Sequence, residues 1–242
     1  MVKKLTTMNH NRNAVGLKYV YPVISRRAGG LSIGINFNTN NACNWRCIYC
    51  QVPDLIRGTA PEMEFELLEK ELSGFLHYVL QGDFYDVYQV DECNRVIKDI
   101  AISGNGEPTS LKKFDAAVSL IGKVAEKAGV LDAINFTLIT NGSLIHQQKV
   151  RQGLVNLEKR GGQVWFKLDS ATGEGRLKFN HAALNEERVL ANLAISAKLC
   201  PTWLQTCLFD YKGQGVTEIE RKAYLAFLKK IKDLNGIKGV LL

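Results

Sequence analysis

The stretch "LSIGINFNTNNACNWRCIYC", residues 31–50, places an apolar run directly before three cysteines. Residues 31–38 are rich in β-branched and aromatic side chains, so they predict a buried strand. The asparagines that follow favour a loop. The stretch therefore predicts a strand whose carboxyl end leads into a cysteine-bearing loop.

The cysteines Cys43, Cys47 and Cys50 also have the spacing i, i+4, i+7, which on a helix would place all three on one buried face. Extending that face leads to Thr39 and Asp54, neither of which is apolar. A proline and several asparagines interrupt the segment as well. We therefore expect a functional loop rather than core packing.

The rest of the chain repeats this order of strand and helix. Further strands are predicted over residues 96–103, 133–140, 163–169, 202–209 and 237–242. Helices are predicted over residues 59–80, 111–128, 144–160, 184–199 and 217–234. Thr59 with Glu62 and Thr217 with Glu220 have the capping-box pairing that begins helices.

Strands that alternate with long helices predict parallel pairing and right-handed crossovers. The expected fold class is α/β, an open partial (β/α)6 TIM-like barrel with a parallel sheet, because a closed eight-unit barrel needs a longer chain. A doubly wound flat sheet is the alternative. In either fold, the active site is expected at the rim formed by the carboxyl ends of the strands.

The predicted domain organisation is simple. Residues 1–30 are taken as an amino-terminal extension with the segment that leads into the first strand, and residues 31–242 as one barrel domain. The last predicted strand lies at the very end of the chain, as it would in a fragment truncated at its carboxyl terminus.

The composition, 46% apolar and 23% charged residues, is that of a globular protein. No apolar run has the length of a membrane span, and no apolar region follows the first lysines as in a secretory signal, so we expect a cytoplasmic protein without a membrane partner. Lys and Arg exceed Asp and Glu by 7. That excess suits a nucleic-acid partner or a plain solvated surface.

Three thiols on one loop predict a metal or cluster site. A structural zinc would need a fourth ligand, for which Cys93, His77 and His10 are the candidates. A [4Fe–4S] cluster held by three cysteines leaves one iron without a protein ligand, so a small molecule can bind there.

The order Cys-x-x-x-Cys-x-x-Cys after the first strand of an incomplete parallel barrel resembles the radical S-adenosylmethionine (SAM) superfamily, with Tyr49 as its frequent aromatic before the last cysteine. The resemblance implies an enzyme whose cluster is held by Cys43, Cys47 and Cys50 and whose open iron binds SAM. An electron supplied by a reductant such as flavodoxin or ferredoxin would then break the C5′–S bond. The resulting 5′-deoxyadenosyl radical would abstract hydrogen from a substrate.

A second match, "SGNGEPT" at 103–109, follows the second predicted strand. Gly104 and Gly106 allow close backbone approach, and Glu107 places a carboxylate at the rim. The segment resembles the superfamily's glycine–glutamate segment, which binds the methionyl amino group, with Asn105 in place of a commoner glycine. Together with "YPVISRRAGGLSIGIN" at 21–36 and "TNG" at 140–142, it resembles the wyosine-synthase-like branch.

The family resemblance also implies that Asn141, Asp169 and Ser170 contact the ribose or carboxylate of SAM. A left-handed turn at Asn141 and a capped strand end at Asp169 and Ser170 are the structural alternatives. The remaining cysteines are predicted to be buried small hydrophobes, with additional clusters as the alternative. They are Cys93, Cys200 and Cys207.

The sequence thus predicts a radical SAM iron–sulfur enzyme that cleaves SAM reductively and starts radical chemistry on an unidentified substrate, with a tRNA base as the named candidate. The alternative is a zinc-stabilised nucleic-acid-binding protein without catalysis.

Overall fold

A computed structural model describes residues 4–8 and 12–242 of the chain. Its strands alternate with helices for most of the length. The strands are β1 (Val20–Ser25), β2 (Gly30–Ile35), β3 (Ala42–Cys43), β4 (Ile56–Arg57), β5 (Ile97–Ile102), β6 (Asn135–Thr140), β7 (Gln163–Lys167), β8 (Thr202–Gln205) and β9 (Ile237–Leu241).

The helices follow the strands in the order expected of β/α units. They are α1 (Phe65–Gln81), α2 (Phe84–Val87), α3 (Phe114–Lys127), α4 (Gln148–Glu158), α5 (Gly173–Asn180), α6 (Glu186–Leu199) and α7 (Glu218–Ile231). In the described part of the chain, no helix is both long enough and apolar enough to cross a membrane.

Seven strands form one open sheet in the order β1-β2-β5-β6-β7-β8-β9, while β3 and β4 pair separately. All pairs from β2 to β9 in this sheet are parallel. Strands β1 and β9 are the two edges of the sheet, so the barrel is not closed. The predicted partial barrel with six parallel strands is confirmed. Parallel strands bring all their carboxyl ends to one edge, where the site is expected.

The main core lies between the outer face of the sheet and the helices. Leu31, Ile33 and Ile35 of β2 are fully buried, as are Leu68 and Leu72 of α1. Because side chains alternate along a strand, the other face of β2 and β5 carries smaller and polar residues.

Strand β1 was missed by the sequence prediction. It pairs antiparallel to β2 from Val20↔Ile35 to Ser25↔Gly30, so residues 20–25 extend the sheet. Pairing with a neighbouring strand is a tertiary contact, and the local sequence around Pro22 carries little strand signal.

The predicted start of the first helix was wrong. Helix α1 begins at Phe65 with Glu64 as its N-cap residue, and no side chain caps it. The residues after Thr59 form hydrogen bonds to distant side chains and not within a helical turn. The Ala60 N–H donates to Ser110 Oγ, and the Glu64 N–H donates to Tyr19 Oη. The second predicted N-cap is confirmed, because Thr217 accepts from the Glu220 N–H at 3.2 Å. The Glu220 carboxylate does not complete a capping box but accepts from the Ala171 N–H and the Thr172 hydroxyl.

Other boundaries shifted by a few residues. The strand predicted over 202–209 ends at Gln205, and the helix predicted from residue 144 begins at Gln148. Helix α5 was also missed, since its two glycines weaken the helical pattern.

Candidate active site

Loops at the carboxyl ends of β2, β5 and β6 meet the ends of β7 and β8 around one pocket of about 340 Å³. The pocket contains all three clustered cysteines and residues 103–107. Asn141, Lys167 and Gln205 complete its polar wall, and apolar residues such as Val52 and Leu55 line the rest. The sequence prediction of a rim site is consistent with this geometry.

The cysteine loop is held by several hydrogen bonds. Cys43 lies in β3 and accepts from the Trp45 N–H at 3.4 Å, and the Cys50 N–H donates to the Cys47 carbonyl at 3.0 Å. All three thiols are free. Burial raises the pKa of Cys43 to about 11 and also raises that of Cys47.

The glycine segment packs tightly against the cysteine loop. A Cβ on Gly106 would lie 2.0 Å from the Ala42 carbonyl oxygen, and one on Gly104, whose φ is +149°, would lie 2.3 Å from Asn36 Oδ1. The Asn105 side chain donates to Asn41 Oδ1 at 2.7 Å. These glycines are therefore required by protein contacts, and the same contacts bring two pocket-lining loops together.

Glu107 is almost completely buried and lines the pocket. Its Oε1 accepts from Thr109 Oγ1 at 2.5 Å, from the Thr109 N–H at 3.1 Å and from Thr140 Oγ1 at 2.6 Å. Among the described residues, its Oε2 accepts from the Asn141 N–H alone, at 2.7 Å. Burial raises the Glu107 pKa, against the effect of these hydrogen bonds. Through these hydrogen bonds the Glu107 carboxylate connects the end of β5 to the end of β6. Its Oε2 can accept one further hydrogen bond.

Asn141 lies in the pocket wall, where its Nδ2 donates to Asn44 Oδ1 at 2.8 Å. Its Oδ1 accepts from the Ser143 N–H and hydroxyl. Asn141 thereby connects the end of β6 to the cysteine loop.

Asp169 and Ser170 do not line this pocket. Asp169 accepts hydrogen bonds from the Tyr49 hydroxyl, from Asn180 Nδ2 and from the Cys207 N–H. Ser170 is fully buried, and its hydroxyl accepts from the Thr172 N–H. Both residues hydrogen-bond within the protein, and their predicted role toward SAM stays a prediction.

Tyr49 lines the pocket with its ring 5.4 Å from that of Phe209. Burial and the neighbouring Asp169 raise the pKa of its phenol, so the hydroxyl stays a hydrogen-bond donor. Tyr49 thus anchors the end of the cysteine loop to the end of β7.

Three further polar residues of the pocket were not assigned from the sequence. Lys167 and Gln205 are paired in register at the ends of β7 and β8. The Gln205 Oε1 is buried and has no hydrogen-bond partner among the described residues. Arg12 donates to Asn105 Oδ1. The period-2 alternation of β7 could have indicated Lys167, whereas Arg12 lies far away in sequence and carries no signal.

The remaining cysteines lie outside the pocket. Cys200 is buried as predicted, Cys207 is half-buried and Cys93 is exposed, so the burial prediction was wrong for Cys93. Cys93 and His77 do not join the clustered thiols, and His10, the third candidate zinc ligand, lies outside the described residues.

The residues present fit an iron–sulfur cluster. No three His, Cys, Asp or Glu side chains in residues 4–8 and 12–242 are placed to hold a single metal ion. A four-iron cluster instead binds each thiolate through a different iron, so its ligands lie farther apart around a shared space. Three free thiols facing one pocket provide that donor set, and iron supplies the positive charge that replaces the thiol protons.

Comparison with known proteins agrees with this interpretation. A family model described as the radical SAM superfamily matches residues 37–228. A UPF0026 protein of Methanocaldococcus jannaschii is 32% identical over 199 residues, which are 81% of this chain and 51% of that protein. A protein named GTPase Obg from Brachyspira hyodysenteriae is 28% identical over 152 residues, which are 62% of this chain and 19% of that protein. A UPF0026 protein of Helicobacter pylori is 29% identical over 152 residues, or 62% of this chain and 41% of that protein. The chain spans about half or less of the length of these relatives.

Two solved structures share the fold, and a third is similar to a lesser degree. A structure of anSMEcpe with bound AdoMet has a TM-score of 0.52 at 17% identity and covers 86% of this chain and 51% of its own. The cobalamin-dependent SAM radical enzyme OxsB has a TM-score of 0.51 at 14% identity and covers 85% of this chain and 27% of its own. A TYW1 structure with a lysine-pyruvate adduct has a TM-score of 0.49 at 14% identity and covers 86% of this chain and 74% of its own. The family match covers most of the chain, and with it come a [4Fe–4S] cluster and SAM as cofactors. The chain belongs to the radical SAM superfamily.

Proposed function

We propose that this radical SAM enzyme holds its cluster through Cys43, Cys47 and Cys50 and cleaves SAM in the pocket that these cysteines line. The observation that carries the proposal is the convergence of three free thiols with the glycine–glutamate segment around one pocket. When bound, the cluster supplies the electron that splits SAM into methionine and a 5′-deoxyadenosyl radical.

The protein residues would bind and orient SAM and would shield the radical from water. Glu107 lines the pocket, and the acceptor capacity left on its Oε2 would accept from the ammonium group of a methionyl moiety. Trp45, Val52 and Leu55 line the pocket with apolar surface, which limits access of water to a radical. Both features follow from the way the loops after β2 and β5 pack together.

The first experiment is anaerobic reconstitution with iron and sulfide. We expect about four irons per chain, the Mössbauer signature of a [4Fe–4S] cluster, and 5′-deoxyadenosine released from SAM under dithionite. The Cys47→Ala variant should lose the visible absorbance of the cluster. The exposed Cys93 lies outside the pocket, so Cys93→Ala is the matched control and should keep the cluster.

Normal iron content in Cys47→Ala would contradict the ligand assignment. A colourless protein with stoichiometric zinc would instead support the zinc-stabilised alternative.

We further propose a tRNA base as the substrate and a flavodoxin or ferredoxin as the electron donor. The net charge of +7 supports attraction to a polyanion. The test is anaerobic turnover with a cellular tRNA pool, followed by nucleoside analysis. A new modified nucleoside that depends on SAM is the expected result. Product formed only with small metabolites would rule out the tRNA.

A further inference from the structure

We propose that Asn180 is a positioning residue that binds the Cys47 sulfur and raises the reduction potential of the cluster. The inference rests on the proposed function, because Cys47 has to be a cluster ligand. Asn180 is the last residue of α5, far from the cysteine motif in sequence, and only 1% of it is exposed.

The side-chain amide of Asn180 uses both of its hydrogens. Its Nδ2 lies 3.3 Å from Cys47 Sγ and 2.7 Å from Asp169 Oδ2. Asp169 also accepts from the Tyr49 hydroxyl. One carboxylate thus fixes both the amide that contacts the second cysteine and the aromatic residue that precedes the third.

The orientation of the amide is set by its neighbours. Exchanging its oxygen and nitrogen would turn the oxygen toward the Asp169 carboxylate, which can only accept, and would leave a cluster-bound thiolate without this donor. The Asn180 Oδ1 is buried without a hydrogen-bond partner among the described residues. A buried polar atom left unsatisfied destabilises the fold, so stability alone does not explain an asparagine at this position.

The backbone of α5 supports the same contact. The Arg46 N–H donates to the Asn180 carbonyl at 3.1 Å, and the Ile48 N–H donates to the Phe179 carbonyl at 2.8 Å. Carbonyls at a helix end lack partners within the helix, and here the residues on both sides of Cys47 supply the donors. Cys47 is therefore held by its neighbours' backbone and by a side-chain donor to its sulfur.

Such a donor affects electron transfer. Reduction adds negative charge to the cluster and its thiolates, so an N–H···S hydrogen bond stabilises the reduced form more than the oxidised form. The Asn180 amide should therefore make the cluster easier for the electron donor to reduce, while it lowers the driving force for passing that electron on to SAM.

The test compares Asn180→Leu and Asn180→Asp with Asn192→Leu in the full chain. Asn192 is equally buried and also has an unpartnered Oδ1, but its Nδ2 donates to the Gly142 and Ser143 carbonyls rather than to a thiol. Iron and sulfide per chain, circular dichroism and the midpoint potential from an EPR-monitored redox titration are measured for each reconstituted protein.

We expect a lower midpoint potential in the Asn180 variants and the wild-type value in Asn192→Leu. Loss of the cluster from both folded Asn180 variants, with retention in Asn192→Leu, would also support the positioning role. Wild-type potential and iron content in the Asn180 variants would overturn it, as would an equal change in Asn192→Leu. A wild-type protein that takes up no cluster would instead refute the proposed function.

Discussion

Single side chains in this protein combine structural and functional tasks. Glu107 illustrates this, since the resemblance to the superfamily assigns it a ligand role, whereas the structure gives it four hydrogen bonds within the chain. Any substitution of Glu107 therefore changes folding stability as well as the pocket, and the two effects have to be measured separately.

Replacing Glu107 by Gln removes one acceptor from these bonds and places an N–H donor beside protein donors. We expect a loss of roughly 1–3 kcal/mol in the free energy of unfolding, measured by urea denaturation. We also expect weaker binding of SAM to the cluster-loaded protein, measured by equilibrium dialysis, with unchanged iron content. The exposed Glu69→Gln is the control. Unchanged SAM affinity in Glu107→Gln would refute the amino-group contact.

Asp99 is a second buried carboxyl group, with a hydrogen bond from Ser32. Burial raises its pKa to about 6. Because an unfolded Asp titrates near 3.9, the folded chain binds more protons between these values, and its stability falls as the pH rises through this window.

Asp99→Asn should therefore be more stable than wild type at pH 7, by at most about 3 kcal/mol, and this advantage should disappear near pH 4. Urea denaturation across pH 4–7 measures the difference. The exposed Asp132→Asn serves as the control substitution. A constant difference between Asp99→Asn and wild type would contradict the assignment of the titration to Asp99.

At the scale of elements, two similar sequence signals have different outcomes. Thr217 caps α7 as its sequence predicts, whereas Thr59 lies in a segment that joins β4 to α1 without capping a helix. The difference is tertiary, because the residues after Thr59 are bound by Ser110 and Tyr19.

Thr217→Ala should cost about 1 kcal/mol of stability through loss of the cap, whereas Thr59→Ala should change stability little. Both threonines are exposed, which makes the pair well matched. Thermal unfolding of the two variants measures the contrast. Equal destabilisation of both would show that the capping assignment is wrong.

At the scale of the whole molecule, the cysteine loop connects distant parts of the barrel. It contacts the loop after β5 through Gly106, the end of β6 through Asn141, and α5 through Asn180. A cluster bound by this loop would therefore stabilise contacts from β2 to α5, and ligands that bind only the folded state raise its stability.

Removing the cluster with a chelator should lower the Tm of the wild-type protein, because the binding energy of a metal site contributes to folding. Calorimetry of the loaded and stripped protein measures the change, and Cys47→Ala should show no difference between the two treatments. An identical Tm for loaded and stripped wild type would indicate that the loop is stable without iron.

Local patterns in the chain were enough to predict the alternation of strands and helices, the six parallel strands and the cluster motif. Apolar periodicity and the spacing of Cys43, Cys47 and Cys50 involve residues that are close together in sequence, so they can be read without the structure. Folding was needed to reveal β1, the start of α1, the location of Ser170 outside the pocket, and the bond from Asn180 to Cys47. Each of these features depends on contacts between residues that are far apart in sequence and come together only when the chain folds. A short-range sequence pattern therefore cannot predict them.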